Sequence, residues 1–241
     1  MKRIAICISG QPRFFKECGK QLNTLISQLD SKIDIFIHAW NTAGEYSSSS
    51  WAPIVKGEGD LYNKIKKLYK PKSLFVEQQK DQLFTLQTSR LKKNTSAETF
   101  IQASMFYSIY IAGLLRREYE QKNKIKYDYI IRTRFDHFPC SIKGHFISKL
   151  KKNHVYFPDL ILNKKVVCDY WMIGIPDVME EVENCYFTMF RKNFLNRLKI
   201  CGEEIITDHL KRSNIIMVPL ISKGGLMRDK NFSDKRFGQW N

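Results

Sequence analysis

Hydrophobic residues fall along this chain in short continuous runs separated by longer segments of mixed polarity. The runs Ile4 to Ile8 and Ile33 to Trp40 are almost entirely apolar, as expected for strands that are covered on both faces of a parallel sheet. The segment from about Phe14 to Leu29 between them has the length of a single helix. A strand, a helix and a second strand within about 35 residues favour a right-handed parallel crossover.

Later segments repeat this alternation of strand and helix signals. Apolar residues at positions 101, 105, 109, 112 and 115 follow a capping box at residues 95–98, which predicts a long helix to about Gln121. Further helices are predicted at residues 60–69, 176–191 and 202–210. Further strands are predicted at residues 73–77, 155–157, 168–174 and 215–218, and one begins at Tyr127. The pattern favours an α/β fold with a Rossmann-type, mostly parallel central sheet flanked by helices.

The stretch from Tyr127 to Asp136 joins a hydrophobic half to a charged half. Its first half is aromatic and β-branched, which predicts a buried strand, and its second half contains Arg132, Arg134 and Asp136. If the strand extends that far, these three side chains lie on one side of it. Because ligands of open α/β sheets bind beyond the carboxyl ends of strands, we predict an anion-binding or metal-binding site here. The alternative is an ion pair between an arginine and Asp136.

The loop after the first strand has a composition suited to binding phosphate. It consists of Ser9, Gly10, Gln11, Pro12 and Arg13. Its glycine allows a ligand to approach the backbone, and the helix that follows presents its amino end. The loop lacks the spaced glycine and the Lys-Ser/Thr pair of a P-loop. We expect a cradle for a phosphate or a nucleotide base, and the alternative is an ordinary turn between a strand and a helix.

The charge of the chain is strongly positive. Forty Lys and Arg residues against 24 Asp and Glu residues give a formal net charge of +16. Such an excess favours polyanionic partners: nucleic acid, an anionic membrane surface or a phosphorylated substrate. The basic runs are not interleaved with aromatic residues as in a nucleic-acid platform. We therefore expect no specific nucleic acid as a partner, and we expect peripheral contact with an anionic membrane.

Cysteine usage and hydropathy bear on the compartment. The six cysteines include no CxxC pair and no Cys/His cluster at zinc spacing, so we expect the reduced, mostly buried thiols of a cytosolic protein. The first apolar run is too short for a signal peptide, and no run approaches the roughly 20 residues needed to span a bilayer. These features predict a cytoplasmic protein, either soluble or attached peripherally at the inner face of a membrane.

Four segments within the first 175 residues form a recognisable combination. They are residues 6–14, 34–40, 102–110 and 127–136. Together they resemble a group of small GT-A-like glycosyltransferases from bacterial and viral surface-glycan clusters, including lipopolysaccharide and capsule loci. The resemblance implies a GT-A-like fold. It also implies transfer of a sugar from a nucleoside-diphosphate donor, UDP- or GDP-linked, to a glycan or lipid-linked acceptor in surface polysaccharide synthesis.

The resemblance also implies roles for individual residues. In GT-A enzymes the nucleotide lies against the first strand and helix, and an Asp-x-Asp motif holds a divalent cation on the diphosphate. The residues that would contact the nucleotide here are Ser9, Gly10, Gln11 and Arg13. Asp136 matches the last acid of the motif, whereas Arg134 stands where the first acid would be.

Two arrangements could neutralise the departing diphosphate. Mn2+ or Mg2+ could do so through Asp136, since one carboxylate can hold Mg2+ when phosphates and water complete its octahedron. Alternatively, Arg13, Arg132 and Arg134 could do so through charge-assisted, bidentate bonds. The sequence slightly favours the metal, and Arg132 and Arg134 are placed among the donor-binding residues in either case.

An inverting transfer requires a general base at the acceptor hydroxyl, whereas a retaining transfer does not. Asp169 is the first candidate because it precedes Tyr170 and Trp171, whose rings could stack on an acceptor sugar. Glu204 and Asp208 are the other candidates. A structural role is the alternative for each: a cap or ion pair for Asp169, and a position on the helix surface for Glu204.

We expect one domain over residues 1–241. By the resemblance, residues 1–125 would form the nucleotide-binding half, and residues 126–241 the metal and acceptor half with a C-terminal tail. One alternative to a glycosyltransferase is another nucleotide-dependent transferase, such as a sulfotransferase or phosphotransferase. A basic nucleic-acid-binding protein is the alternative from a different class.

Overall fold

The computed structural model describes residues 1–27, 29–41, 59–78, 97–138, 150–158, 167–189, 201–220 and 225–226. The helices in these ranges are α1 (Phe15–Ser27), α2 (Leu61–Tyr69), α3 (Ala97–Asn123), α4 (Pro176–Thr188) and α5 (Gly202–Arg212). The strands are β1 (Lys2–Gly10), β2 (Ser31–Trp40), β3 (Ser73–Glu77), β4 (Tyr129–Thr133), β5 (His137–Phe138), β6 (His154–Pro158), β7 (Trp171–Gly174), β8 (Ile216–Leu220) and β9 (Gly225–Leu226).

Seven of these strands form one mostly parallel sheet in the order β3-β2-β1-β4-β7-β6-β8. β1 is parallel to β2 and to β4, β2 is parallel to β3, and β6 is parallel to β8. β7 is antiparallel to both of its neighbours. β5 and β9 pair separately as a two-stranded antiparallel sheet. The predicted α/β architecture with a Rossmann-type, mostly parallel central sheet flanked by helices is therefore confirmed.

The two faces of the sheet are covered by different helices. Ile6 and Ile8 of β1 line a small apolar space together with Leu22 and Leu25 of α1. The alternate residue Cys7 faces the other way, because successive side chains of a strand point to opposite faces. It is fully buried, which raises the pKa of its thiol, and the charged side chains of α3 and α4 lie close enough to act on this pKa as well. The continuous apolar runs of β1 and β2 are thus explained by burial on both faces.

Several element boundaries differ from the sequence predictions. The strand predicted from Tyr127 begins at Tyr129 and ends at Thr133, and the strand predicted from Cys168 begins at Trp171. The segment after Asp136 contains a strand that was not predicted, β5, which pairs with β9 in the C-terminal tail. The first half of the predicted capping box and the end of the helix predicted at 176–191 lie outside the described residues. None of the described helices is both long and apolar enough to cross a bilayer.

A buried ionic cluster joins α3 to α4. Arg116 Nη2 donates to Glu183 Oε2 over 3.1 Å, and Arg117 and Glu120 complete the cluster. Arg116 and Glu183 are both buried. Gly113, one turn before Arg116, makes room for the Glu183 carboxylate, because a Cβ at this position would overlap it. Breaking a buried ion pair leaves an uncompensated charge, so this cluster ties the two helices together.

We expect Gly113→Ala to lower the free energy of unfolding by about 1–3 kcal/mol, because the added methyl group displaces Glu183 from its arginines. Urea titration measures this change. The control is Gly59→Ala, where a Cβ would meet no atom of the described residues within 4 Å. Alanine is the better helix former by about 1 kcal/mol, so an unchanged or higher stability of Gly113→Ala would show that the carboxylate does not need this space.

Candidate functional site

The predicted site residues next to β1, β4 and β7 lie at the carboxyl edge of the sheet because of the strand directions. β1 and β4 are parallel neighbours, with Ile8 paired to Thr133, so the segments that follow both strands leave from the same edge. β7 runs the opposite way and pairs Trp171 with Thr133. Asp169 and Tyr170, which precede β7, are therefore brought to this edge as well.

Arg132 is the most unusual residue at this edge. It is 2% exposed, and within the described part of the chain neither its Nε nor its Nη1 has a hydrogen-bond partner. Burial lowers the pKa of Arg132 to about 10, against the opposing effect of the Asp169 carboxylate. A buried cation with unmade hydrogen bonds is unfavourable for folding by itself. The free donors are therefore the feature that most needs an explanation.

Ser9 and Gly10 lie beside Arg132 on the neighbouring strand. Cys7 pairs with Arg132, and Ser9 is two residues further along β1 on the same face. Ser9 is 2% exposed, and its Oγ has no hydrogen-bond partner among the described residues. Gly10 has a φ of +111°, where side chains are strained, and a Cβ there would contact no described atom within 4 Å. The backbone is thus open to close approach at this point.

The rest of the loop is held by its own polar groups. The Arg13 backbone N–H donates to the Gln11 carbonyl oxygen over 2.8 Å, and the Arg13 guanidinium also donates to the Gln11 side-chain oxygen. Both residues are half-buried. The loop therefore carries a fixed positive charge next to Gly10, although its contact with a nucleotide stays a prediction.

Arg134 and Asp136 form a two-point ion pair. Arg134 Nε donates to Asp136 Oδ1 and Nη2 donates to Oδ2, both over 2.9 Å. Burial alone would lower the pKa of Arg134, but the carboxylates of Asp136 and Asp169 raise it above the ordinary arginine value. The ion pair given as the alternative in the sequence analysis is present.

The expectation that Arg132, Arg134 and Asp136 extend from one face of a single strand is corrected by the structure. β4 ends at Thr133, and the next residues form a turn. The physical reason is Phe135, which is 1% exposed and packs edge-on against Tyr69 of α2, with ring centroids 5.9 Å apart. Burying this ring turns the chain out of the sheet, so strand alternation no longer applies beyond Thr133.

The three predicted general bases lie in different surroundings. Asp169 is half-buried and close enough to Arg132 and Arg134 to raise the pKa of both. Glu204 is exposed in the first turn of α5. Asp208 accepts a hydrogen bond from Arg212 Nε over 2.8 Å on the same helix. The described contacts associate only Asp169, of these three, with the arginines.

The predicted acceptor platform is buried. Tyr170 is 3% exposed and Trp171 is 2% exposed. The Tyr170 ring lies 5.0 Å from the ring of His137, centroid to centroid. Stacking of a sugar on these rings stays a prediction, and it would require that they become accessible.

His137 is a residue at this edge that the sequence analysis did not select. Its Nδ1 lies 3.0 Å from Thr133 Oγ1, and its Nε2 has no partner among the described residues. Burial lowers the pKa of His137 to about 3, against the raising effect of Asp136. Its only sequence signal is its position directly after Asp136, because the burial that makes it unusual depends on packing.

The depressed pKa of His137 predicts a loss of stability in mild acid. The unfolded chain takes up a proton near the ordinary pKa of 6.5, whereas the folded state does so only near 3. The contribution of His137 to the free energy of unfolding is therefore complete above pH 6.5, and it decreases as the pH drops towards 3. Between pH 7 and pH 5, wild type should lose about 2 kcal/mol more than His137→Gln in urea titrations. His154→Gln, at a partly exposed histidine, is the control and should behave as wild type.

His38 lies on the strand next to Ser9, with which it pairs in the sheet. Its Nδ1 is 2.6 Å from Ser108 Oγ of α3, and its Nε2 is 3.0 Å from Glu77 Oε1 of β3. It is fully buried, and burial lowers its pKa. This is a hydrogen-bonded structural imidazole, which joins α3 to the edge of the sheet.

A divalent cation finds few ligands among these residues. In the described ranges, no three His, Cys, Asp or Glu side chains are grouped closely enough to hold a metal ion. Asp136 is the carboxylate assigned to a metal by sequence, and both of its oxygens accept from Arg134. The residues present therefore fit a cation poorly.

The fold and these contacts define an α/β protein that gathers two guanidiniums, two carboxylates and an open glycine loop at the carboxyl edge of its sheet. The chain belongs to the family described as a domain of unknown function (DUF7796), which matches residues 1–159. No curated protein sequence matches the chain.

Three solved structures align with most of the chain at low identity. Glycosyltransferase GlyE of Streptococcus pneumoniae TIGR4, in its apo form, is 9% identical with a TM-score of 0.46, and the match covers 90% of this chain and 45% of GlyE. Mouse xyloside xylosyltransferase 1 is 6% identical with a TM-score of 0.47, covering 91% of this chain and 84% of that protein.

The third is a glycosyltransferase involved in the glycosylation of the major capsid of PBCV-1. It is 6% identical with a TM-score of 0.43, covering 92% of this chain and 82% of that protein. The present chain thus spans less than half the length of GlyE. All three proteins are glycosyltransferases, and at these identities and TM-scores the likeness establishes neither substrate nor chemistry for this chain.

Proposed function

We propose that this protein is a glycosyltransferase that binds a nucleoside-diphosphate sugar at the carboxyl edge of its sheet. The observation that carries the proposal is the buried guanidinium of Arg132, whose Nε and Nη1 lack partners among the described residues. A buried charge without full hydrogen bonding costs several kcal/mol unless an opposite charge completes it. A diphosphate is such a charge, and guanidiniums bind its oxygens in a two-point geometry.

The groups around Arg132 suit the diphosphate in charge and position. Ser9 Oγ is a further buried hydrogen-bonding group without a described partner, on the same face of the sheet. Gly10 leaves space beside the backbone, so that a phosphate can approach the loop between β1 and α1. Arg134 adds a second positive charge close to Arg132, and Arg13 adds another in the loop. We propose that the donor nucleotide lies along this loop.

Asp169 is the proposed general base of the transfer. In an inverting reaction the acceptor oxygen attacks the anomeric carbon, its proton passes to a carboxylate, and the bond from the anomeric carbon to the diphosphate oxygen breaks. The diphosphate leaves with the electron pair of that bond, and the guanidiniums stabilise its negative charge. Asp169 is half-buried at the same edge as these guanidiniums, which supports this role over Glu204 and Asp208.

The strongly positive charge of the protein bears on its acceptor and on its location in the cell. We propose a glycan or lipid-linked acceptor in surface polysaccharide synthesis, with the enzyme at the cytoplasmic face of a membrane. The formal net charge of +16 supports this proposal, because anionic headgroups or phosphorylated acceptors would attract such a surface. Co-sedimentation with liposomes tests it: equal binding to neutral and anionic vesicles would remove the membrane part.

A thermal-shift screen tests the proposed donor class. A ligand that binds only the folded state raises the apparent unfolding temperature, so the protein is screened against UDP, GDP, CMP, ADP and adenosine 3′,5′-bisphosphate. We expect stabilisation by UDP or GDP. Stabilisation by adenosine 3′,5′-bisphosphate alone would favour a sulfotransferase. Stabilisation by none of these, together with salt-sensitive binding of oligonucleotides, would favour a nucleic-acid-binding protein.

A further inference from the structure

The Arg134–Asp136 pair has a consequence for how the site neutralises a diphosphate. Two parallel N–H to oxygen bonds hold the guanidinium and the carboxylate in one plane. The Asp136 side chain is 3% exposed, whereas that of Arg134 is 20% exposed. The carboxylate is therefore enclosed, and Arg134 is the more accessible member of the pair.

A divalent cation on Asp136 would meet a strong repulsion. Hard cations such as Mg2+ bind carboxylate oxygens at about 2.1 Å, and each Asp136 oxygen already lies 2.9 Å from a guanidinium nitrogen. The cation and the guanidinium would then be close neighbours at a largely buried site, where screening is weak. Asp169, the other carboxylate at this edge, is likewise near Arg132 and Arg134.

We propose that this site holds its diphosphate through the guanidiniums of Arg132 and Arg134 without a divalent cation, and that Asp136 positions Arg134 instead of binding metal. This inference rests on the proposed donor site. The two guanidiniums supply the two positive charges that a divalent cation would otherwise bring to the phosphates. Asp136 holds one of them through its Nε and Nη2, which leaves Nη1 for the ligand. The guanidinium of Arg134, held in place by Asp136, thus takes the role of a metal ion.

Manganese binding is the first part of the test, and it needs no substrate. Titration of Mn2+ alone into protein is followed by the electron paramagnetic resonance signal of free Mn2+. Wild type should bind no Mn2+ below about 1 mM. Arg134→Asp removes the guanidinium and places a second carboxylate two residues from Asp136, so it should bind one Mn2+ at least tenfold more tightly than wild type. Lys64→Asp, an equal change of charge at an exposed position of α2, should not.

Pyrophosphate binding in calorimetry is the second part. Wild type should bind inorganic pyrophosphate in EDTA, and its affinity should change less than threefold when Mn2+ replaces EDTA. In EDTA, Arg134→Asp should bind at least tenfold more weakly than wild type, and Mn2+ should restore its binding. Circular dichroism of each variant establishes that it is folded, and the wild-type measurements decide the question even if Arg134→Asp does not fold.

The outcomes separate this inference from the donor site itself. If wild type binds pyrophosphate only with Mn2+, and Asp136→Asn abolishes that binding, Asp136 is a metal ligand and the inference is overturned while the donor site stands. If wild type binds no pyrophosphate under either condition, the donor site is wrong and the inference is overturned with it. Binding in EDTA that Arg134→Asp leaves unchanged would show that Arg134 does not hold the ligand.

Discussion

Replacing Arg132 with methionine is expected to weaken pyrophosphate binding at least 100-fold, or about 2.7 kcal/mol, while the folded state remains as stable as wild type or becomes more stable. The ligand loses the buried cation that holds it, and truncating a buried charge partner commonly costs 2–5 kcal/mol of binding. The fold loses a charge whose Nε and Nη1 have no partner in the described residues. A methionine of similar volume has neither the desolvation cost of the charge nor its unmade hydrogen bonds.

Calorimetric titration with pyrophosphate measures the change in affinity. Urea titration of the same variant measures the change in the free energy of unfolding. Arg212→Met is the matched control, because Arg212 is exposed and its ion pair in the described part of the chain is a surface pair with Asp208, which contributes a few tenths of a kcal/mol. It should alter neither measurement appreciably. A variant at Arg132 that unfolds more easily and binds normally would mean that the guanidinium is structural. The proposed donor site would then lack the buried cation on which it depends.

The Asp169→Asn variant is expected to lose between 10²- and 10⁴-fold in kcat, the usual contribution of a general base. Nucleotide binding should remain within a few-fold of wild type, because the amide keeps the size of the carboxylate and the arginines stay in place. Steady-state kinetics with the identified donor measure the loss, and a flattened acid limb of the pH profile would accompany it. Asp177→Asn, at an exposed residue in the first turn of α4, is the matched control.

The alternative role for Asp169 is to hold Arg132 and Arg134 in position. In that case Asp169→Asn would mainly raise KM or the nucleotide Kd and leave kcat nearly unchanged, since binding is then the affected step. Unchanged kcat and unchanged binding would exclude both roles. A retaining enzyme, which needs no base on the acceptor, would also leave kcat high, so the stereochemistry of the product completes the comparison.

The sequence predicted the fold well where burial controls the pattern. Ile4 to Ile8 is apolar throughout, and Ile33 to Trp40 is apolar apart from Asp34 and His38. Such runs occur in central parallel strands, which β1 and β2 are. The direction of β7 could not be predicted in this way. A short apolar run such as Trp171–Gly174 has the same composition in either direction, and its antiparallel pairing is a property of the whole sheet. That pairing is what brings Asp169 to the arginines.

The site was predicted in composition more than in geometry. Arg132, Arg134 and Asp136 follow one another along the chain, and the antiparallel direction of β7 adds Asp169 to them. Their roles in binding and catalysis stay predictions. The alternation rule failed after Thr133 because Phe135 packs into the core and ends the strand. Whether the rings of Tyr170 and Trp171 are exposed depends on what covers them, and residue type does not encode this. The same holds for the burial of His137.

Calorimetric titration of intact nucleotide sugars tests the central claim most directly, because it needs no acceptor. Wild type and Arg132→Met are each titrated with UDP-linked and GDP-linked sugars, and with adenosine 3′,5′-bisphosphate for comparison. We expect one nucleoside-diphosphate sugar to bind wild type with a stoichiometry of one, and Arg132→Met to bind it at least 100-fold more weakly. Binding that is equal in both proteins, or that is confined to adenosine 3′,5′-bisphosphate, would contradict the proposed donor site.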